Sequence, residues 1–225
     1  MKKVSMYIDG YNFYYAIKKG LVHIAPDLLG LGWCDFRELG EKCMTRDDET
    51  IDQVKYFTAR VGSCGFRAEI MKQNVWIDAI RSIKNLTVIE GVHQLEQGHR
   101  PKDRKEKMTD VNIAVDLLLD ASDPNRFDKA IIVSADLDLY PAALAAVERI
   151  ENPIEVEFWF PPTLKAPKLE SLCKKSGIKC ERITPEMLFK YRLPDEIIRD
   201  GKKICIDPSW KISEETKHSF KVGKL

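Results

Sequence analysis

The sequence predicts an α/β fold, a three-layer α/β/α sandwich around a central, mostly parallel sheet. Short runs rich in β-branched and aromatic residues alternate with helical patterns along the chain, which is typical of parallel strands joined by helices that cover both faces of a sheet. The run Ala-Ile-Ile-Val at 130–133 is continuously apolar, as a strand buried on both faces should be. With 225 residues, 44% of them hydrophobic, the chain is long enough to bury a sizeable core.

The elements follow in order. Six strands are predicted, at Lys3–Ile8, Val54–Val61, Leu86–Val92, Lys129–Ser134, Ile154–Phe160 and Lys179–Ile183. Six helices are predicted among them, at Tyr11–Lys19, Phe36–Met44, Ala68–Lys84, Asp110–Ala121, Leu139–Ile150 and Lys165–Ser176. A polar, glycine-bearing segment between Gly91 and Thr109 breaks the pattern. We expect one domain over residues 1–190 and a C-terminal tail or peripheral appendage over residues 191–225.

Composition excludes several classes of protein. Lysine and arginine total 36 against 35 acidic residues, so overall charge does not predict binding to nucleic acid, although local basic patches remain open. No stretch is long and apolar enough for a membrane span, and the start lacks a signal-peptide core. The cysteines stand singly, without the clustering of a zinc site. We therefore expect reduced thiols and a cytoplasmic protein.

Acidic residues follow two of the predicted strands. Asp9 comes directly after the first strand, and Asp136 and Asp138 come after the apolar central strand. In an open parallel sheet, ligands bind outside the carboxyl ends of the strands, near the point where strand order reverses. Gly10 suits a sharp turn from strand to helix. These three carboxylates are therefore expected at one edge of the sheet.

A fourth carboxylate comes from the start of a predicted helix. Thr109 is a plausible N-cap, which puts Asp110 in the first turn. Asp116 lies six residues further on, so the two side chains point roughly 120° apart around the helix. We prefer Asp110 for the site, with Asp116 as the fallback or as a supporting residue.

Each of these aspartates taken alone could be a turn residue or could simply favour the positive end of a helix. Four carboxylates that converge on one point repel each other, and a divalent cation neutralises that repulsion. Oxygen ligands select Mg²⁺ or Mn²⁺ over zinc. Such an ion activates water and neutralises charge on a scissile phosphate, so the residues alone point to a metal-dependent phosphoesterase.

Three segments resemble motifs of one known family. Residues 7–13, Tyr-Ile-Asp-Gly-Tyr-Asn-Phe, resemble the opening of NYN domains, which are relatives of the PIN-domain ribonucleases. Residues 107–111 resemble the family's lysine-x-x-aspartate helix start. Residues 134–139, Ser-Ala-Asp-Leu-Asp-Leu, resemble its serine-glycine-aspartate-x-aspartate-phenylalanine motif, with alanine for glycine and leucine for phenylalanine. The likeness covers about residues 3–190 and implies a PIN-like, Rossmannoid fold.

The resemblance implies an endoribonuclease that acts on single-stranded or structured RNA. Carried over by position, the ligands of Mg²⁺ or Mn²⁺ would be Asp9, Asp110, Asp136 and Asp138. Asn12 would hydrogen-bond the Asp9 side of the cluster or the substrate, or would serve only as a helix cap. Ser134 would orient a carboxylate, and Lys107 would counter the acids or meet a phosphate.

The stretch from Arg100 to Lys107 carries five bases and two acids. It is either a solvated loop or a grip on RNA phosphates, and the RNA-binding candidates in it are Arg100, Lys102, Arg104 and Lys105. Exposed aromatic rings could stack unpaired bases, and the nearest candidates are Tyr11, Phe13 and Tyr14.

Two other functions share parts of this pattern. A haloacid-dehalogenase-like phosphatase needs a second aspartate two residues after Asp9, where this chain has Tyr11. The stronger alternative is a non-catalytic RNA- or nucleotide-binding adaptor or regulatory module with the same fold. A homo-oligomer is left open by the sequence.

Overall fold

The computed structural model describes residues 1–60, 67–95, 104–123, 125–148 and 151–223, with the backbone alone described at 92–95 and 104–107. The strands in these ranges are β1 (Lys2–Asp9), β2 (Glu49–Ala59), β3 (Leu86–Leu95), β4 (Arg104–Lys107), β5 (Lys129–Val133), β6 (Glu155–Phe160), β7 (Lys179–Arg182), β8 (Glu196–Arg199) and β9 (Lys202–Cys205). The α-helices are α1 (Gly10–Gly20), α2 (Phe36–Cys43), α3 (Arg67–Ile80), α4 (Thr109–Ala121), α5 (Tyr140–Glu148), α6 (Pro167–Lys175), α7 (Pro185–Lys190) and α8 (Glu214–Lys221). In the same described ranges, 3₁₀ helices lie at Pro26–Gly32, Leu137–Leu139 and Pro208–Trp210. Every predicted strand and helix is present, some with shifted ends, while the predicted ends at Val61 and Ile150 lie outside the described residues.

Within the described residues, seven strands form the main sheet in the order β4-β3-β2-β1-β5-β6-β7. All neighbours are parallel except β3 and β4, which are antiparallel. The chain builds outward from β1 to β3 on one side and from β5 to β7 on the other. Strand order therefore reverses between β1 and β5, which is where ligands bind in open sheets of this type.

Helices cover both faces of the sheet. Along β1, Met6 and Ile8 belong to one apolar core and Tyr7 belongs to the other, because successive side chains of a strand point to opposite faces. The first core holds apolar residues of α1, α2 and α3, and the second holds those of α4, α5 and α6. The predicted three-layer, mostly parallel α/β fold is confirmed.

The expectation that Arg100–Lys107 is a loop was wrong for residues 104–107, which form strand β4. Strand β3 continues to Leu95, and β4 pairs with it so that Val92 lies opposite Lys107. The sequence of β4 is charged, which is typical of a strand that pairs on one side only. It therefore lacks the alternation of apolar residues from which a strand is predicted. Residues 96–103, with Arg100 and Lys102, lie outside the described residues.

The C-terminal segment packs onto the first core. The indole ring of Trp210 lies 6.3 Å from that of Trp33 and 6.3 Å from that of Trp76. The rings of Phe189 and Phe220 are stacked with centroids 4.3 Å apart. Residues beyond 190 thus share a core with the sheet, and the domain boundary at 190 stays a prediction.

Candidate active site

The register of β1 and β5 places the candidate residues side by side. Ile8 pairs with Val133 in the parallel ladder, so Asp9 and Ser134 follow at the same edge of the sheet. A Cβ atom at position 10 would overlap the ring of Tyr56, which explains why the turn after β1 uses glycine.

Asp9 is a buried carboxylate, with 3% of its surface exposed. Its Oδ1 accepts a hydrogen bond from the backbone N–H of Asn12 at 2.9 Å, which caps α1, and its Oδ2 accepts one from Ser134 Oγ at 2.9 Å. Burial, together with the charges of Asp110 and Asp136, raises the pKa of Asp9 to about 6 against the effect of both hydrogen bonds. The site therefore disfavours this negative charge.

The turn after β5 is organised by Ser134 and Asp136. The N–H of Asp136 donates to Ser134 Oγ at 3.1 Å, and the N–H of Asp138 donates to an oxygen of Asp136 at 3.0 Å. Ser134 is fully buried, whereas Asp138 is exposed. One serine hydroxyl thus connects the turn to Asp9.

Asn12 joins the two strand ends from the other side. Its Oδ1 accepts a hydrogen bond from the backbone N–H of Ala135 at 3.1 Å. The asparagine side chain therefore bridges the start of α1 and the turn after β5, while Asp9 caps the helix.

Asp110 enters from α4. Burial first, and then the charges of Asp136 and Asp138, raise the pKa of Asp110 above its ordinary value. Since Asp110 also acts on Asp9, Asp110 lies within electrostatic range of the other three carboxylates. The helix begins one residue earlier than predicted: Met108 is the N-cap, with φ of 76° and no capping side-chain hydrogen bond, so the prediction that Thr109 is the N-cap was wrong.

No base whose side chain the structure describes forms an ion pair with these four aspartates. At the opposite end of the strands, buried carboxylates do lie beside a protein cation. There the buried Lys129 lies 3.1 Å from a carboxylate oxygen of Glu49 and 3.1 Å from one of Glu157. At the amino ends of the strands, Lys129 thus neutralises the buried carboxylates. At the carboxyl ends, no described side chain of the protein does so for the four aspartates, and such a site suits a bound cation.

The chemistry of the donor set fits a hard ion, since all the donors are carboxylate oxygens. Within the described ranges, however, no three acidic, histidine or cysteine side chains lie close enough to hold an ion as they stand. An ion held by three of these carboxylates would therefore require them to move closer together, whereas Mg²⁺ is often bound by one or two carboxylates and keeps several waters.

Asp116 lies elsewhere. Its carboxylate is 2.9 Å from Lys55 Nζ, which also lies 2.6 Å from Asp120. Asp120 in turn accepts a hydrogen bond from the hydroxyl of Tyr7 at 2.7 Å. The structure thus places Asp116 in an ion pair over the middle of the sheet, rather than beside Asp9 as a fallback ligand or supporting residue.

The basic candidates lie before α4. Arg104, Lys105 and Lys107 belong to β4, which ends two residues before the helix begins, and their side chains are outside the description. Among the aromatic candidates, Phe13 is buried in the first core, so the expectation that it could stack bases was wrong.

Tyr15, Lys18 and Lys19 were not among the candidate residues predicted from the sequence. Tyr15 and Lys18 stand four residues after Tyr11 and Tyr14 respectively, on the side of α1 that faces away from the core. The helical spacing of these residues was the available signal.

A doubly wound α/β domain with an acidic cluster at its switch point is the class of protein that this fold and site define. A family model described as the NYN domain matches residues 3–176. The match covers more than half of the chain, and the chain therefore belongs to the NYN domain family, within the PIN-like nuclease superfamily. The family membership predicted from the three motifs is confirmed.

Comparison with curated proteins gives no match. Among solved structures, the chain is similar to a protein of unknown function from Vibrio parahaemolyticus, with a TM-score of 0.52 and 18% sequence identity. The similarity covers 81% of this chain and 93% of that one. At this identity the likeness supports the fold alone. None of the helices in the described ranges combines the length and apolar character needed to cross a membrane.

Proposed function

We propose that this protein is a metal-dependent endoribonuclease that hydrolyses phosphodiester bonds of RNA. Asp9, Asp110, Asp136 and Asp138 would hold Mg²⁺ or Mn²⁺. Membership of a nuclease-like family supports hydrolysis in general, and the finer assignment depends on the chemistry of the site.

One observation carries the proposal. Asp9 accepts two hydrogen bonds at the switch point, yet its burial, with smaller contributions from the charges of Asp110 and Asp136, raises its pKa to about 6. An arrangement that holds repelling carboxylates together costs stability unless a cation is bound. A functional role, here the binding of a metal ion, would explain why the fold holds these carboxylates together despite their repulsion.

The chain's own residues would position the cluster. Ser134 fixes Asp9 and the backbone of Asp136 through one hydroxyl, and Asn12 fixes the turn through Ala135. The exposed Asp138 would face substrate and solvent. A bound divalent ion would activate water and neutralise charge on the scissile phosphate.

The basic residues before α4 would contact the RNA backbone. Lys107, Arg104 and Lys105 lie on β4, whose end leads directly into the helix that carries Asp110; Arg100 and Lys102 belong to the same basic stretch. Phosphate contacts of this kind position a strand without reading its sequence.

A non-catalytic RNA- or nucleotide-binding module is the second candidate. It is favoured by one observation, that no three potential ligands among the described side chains converge closely enough to hold an ion as placed. Cleavage activity separates the two functions.

The test is cleavage of labelled RNA by the purified protein with Mn²⁺ or Mg²⁺, with and without EDTA. Asp136→Asn and Asp110→Asn should each lower the cleavage rate by about 10–100-fold or more, because each replaces a charged carboxylate ligand by a neutral amide. Asp116→Asn is the matched control on the same helix and should retain activity. Cleavage that survives both EDTA and Asp136→Asn would defeat the proposal, and binding without cleavage across varied RNAs would favour the non-catalytic module.

A further inference from the structure

The outward side of α1 carries three tyrosines and two lysines. We call Tyr11, Tyr14, Tyr15, Lys18 and Lys19 the tyrosine–lysine face. The rings are partly exposed and both lysines are exposed, while the opposite side of the helix is buried in the core. Solvent-facing helix positions are usually polar or charged, whereas this side carries three partly exposed aromatic rings beside two cations.

The rings form a continuous surface. The centroids of Tyr11 and Tyr15 are 4.5 Å apart, and those of Tyr14 and Tyr15 are 5.4 Å apart with nearly perpendicular planes. Lys18 Nζ lies 5.5 Å from the Tyr14 centroid, and Lys19 Nζ lies 5.0 Å from that of Tyr15. No described carboxylate pairs with either lysine, so their charge is available to an anionic partner.

This face begins at the candidate active site. Asp9 caps α1, and at 1.5 Å per residue Tyr15 lies only about 9 Å further along the helix axis. A chain molecule bound on the face is therefore close enough to reach the acidic cluster.

The chemistry matches a single strand of RNA. Unpaired bases stack on aromatic side chains whatever their sequence, and phosphates attract exposed lysines. Stacking of a base is worth more than an exposed contact between lysine and a ring. An arriving base would thus displace a lysine from its ring and leave the ammonium group free for the adjacent phosphate. Paired bases in a duplex are already stacked on each other and cannot bind in this way.

We propose that the tyrosine–lysine face binds single-stranded RNA, with bases stacked on Tyr14 and Tyr15 and phosphates held by Lys18 and Lys19, and delivers the strand to the Asp9 edge of the sheet. This inference rests on the proposed function for its RNA substrate. It adds the strandedness of that substrate and the residues that recognise it.

The test is fluorescence anisotropy with a short labelled RNA without self-complementarity, in EDTA so that no cleavage occurs. Tyr15→Leu should weaken binding by at least about fivefold, because leucine keeps bulk but offers no aromatic face. Tyr15→Phe keeps the ring and should bind within about twofold of the wild type. Binding of the corresponding duplex should not change between these variants.

The charge contribution has its own matched control. Replacing Lys18 and Lys19 by alanine should weaken binding and make it less salt-dependent, with the slope reduced by up to about 1.4 for two phosphates on a single strand. Lys174 and Lys175 are likewise exposed in the last turn of a helix, α6. Their double alanine variant should bind as the wild type does.

Three results would overturn the inference: wild-type affinity in Tyr15→Leu, an equal loss in both lysine pairs, or no binding of single-stranded RNA by the wild type. The cleavage assay separates this inference from the proposed function. Tyr15-dependent binding without any cleavage would contradict only the nuclease. Cleavage that requires Asp136 but has an unchanged KM in Tyr15→Leu would contradict only the role of this face.

Discussion

At the scale of single residues, Asp9 has two opposing effects on the stability of the fold. It caps α1 through an N–H of the helix, which favours folding. It also holds a buried charge beside other carboxylates, which opposes folding. Because its pKa is raised to about 6, this side chain keeps its proton to a higher pH in the folded metal-free protein than in the unfolded chain.

Asp9→Asn is therefore expected to stabilise the metal-free protein at pH 7.5, by on the order of 1–3 kcal/mol. The folded-state pKa lies above the unfolded one, so the wild type has its full stability below about pH 4 and loses part of it as pH rises through 6. The difference between the two proteins should accordingly shrink towards pH 4. Urea unfolding in EDTA at several pH values measures it, and a variant less stable than the wild type at pH 7.5 would contradict the prediction.

Asp27 provides a control of opposite sign. Burial acts to raise its pKa, but hydrogen bonds from Ser213 and Thr216 prevail and hold the pKa of Asp27 below its ordinary value. Asp27→Asn should therefore destabilise the protein at pH 7.5, and the loss should diminish as pH falls below 4.

At the scale of elements, the start of α4 is strained where it delivers Asp110. Met108 has φ of 76°, a left-handed conformation that costs a residue with a Cβ roughly 1–2 kcal/mol. Strain of this kind often accompanies functional sites. The sequence did not predict this strain, because methionine has no preference for a left-handed conformation.

Met108→Gly should raise the free energy of unfolding by about 0.5–1 kcal/mol, since glycine adopts this conformation without steric cost. The side chain of Met108 is 54% exposed, so little packing is lost. Met71 is the matched control, 58% exposed but inside α3, where Met71→Gly should cost about 1 kcal/mol. Urea unfolding of both variants measures the difference, and the same sign in both would contradict the strain.

At the scale of the whole molecule, the C-terminal segment closes the first core. The 3₁₀ helix at Pro208–Trp210 packs the indole ring of Trp210 against the rings of Trp33 and Trp76, which also contact each other, and Trp210 is 8% exposed. The family match ends at residue 176, yet the folded core continues beyond it.

Trp210→Ala should therefore lower the free energy of unfolding by about 3–5 kcal/mol, as expected when a large buried aromatic side chain is removed. Ile198 in the β8–β9 hairpin is 80% exposed, and Ile198→Ala should change stability by no more than about 0.5 kcal/mol. Thermal and urea unfolding provide the comparison. A Trp210→Ala protein as stable as the wild type would show that the segment is an appendage after all.

The sequence by itself determined the alternation of strands and helices, the family motifs and the candidate carboxylates Asp9, Asp110, Asp136 and Asp138. These are local properties: apolar periodicity, turn chemistry and motif spacing are written in neighbouring residues. It also separated Asp110 from Asp116 by helical angle, and the structure places Asp116 against Lys55.

Only the tertiary structure decided the strand order, the edge strand β4, the packing of the C-terminal segment and the surface formed by Tyr14, Tyr15 and Lys18. Each of these depends on contacts between residues far apart in the chain, or on which side of an element meets the core. Local sequence carries little information about such contacts, because backbone pairing at an edge and aromatic packing accept many sequences. The same reason explains the two faces of α1: periodicity showed a helix, and the position of the core decided that Phe13 is buried while its tyrosine neighbours reach solvent.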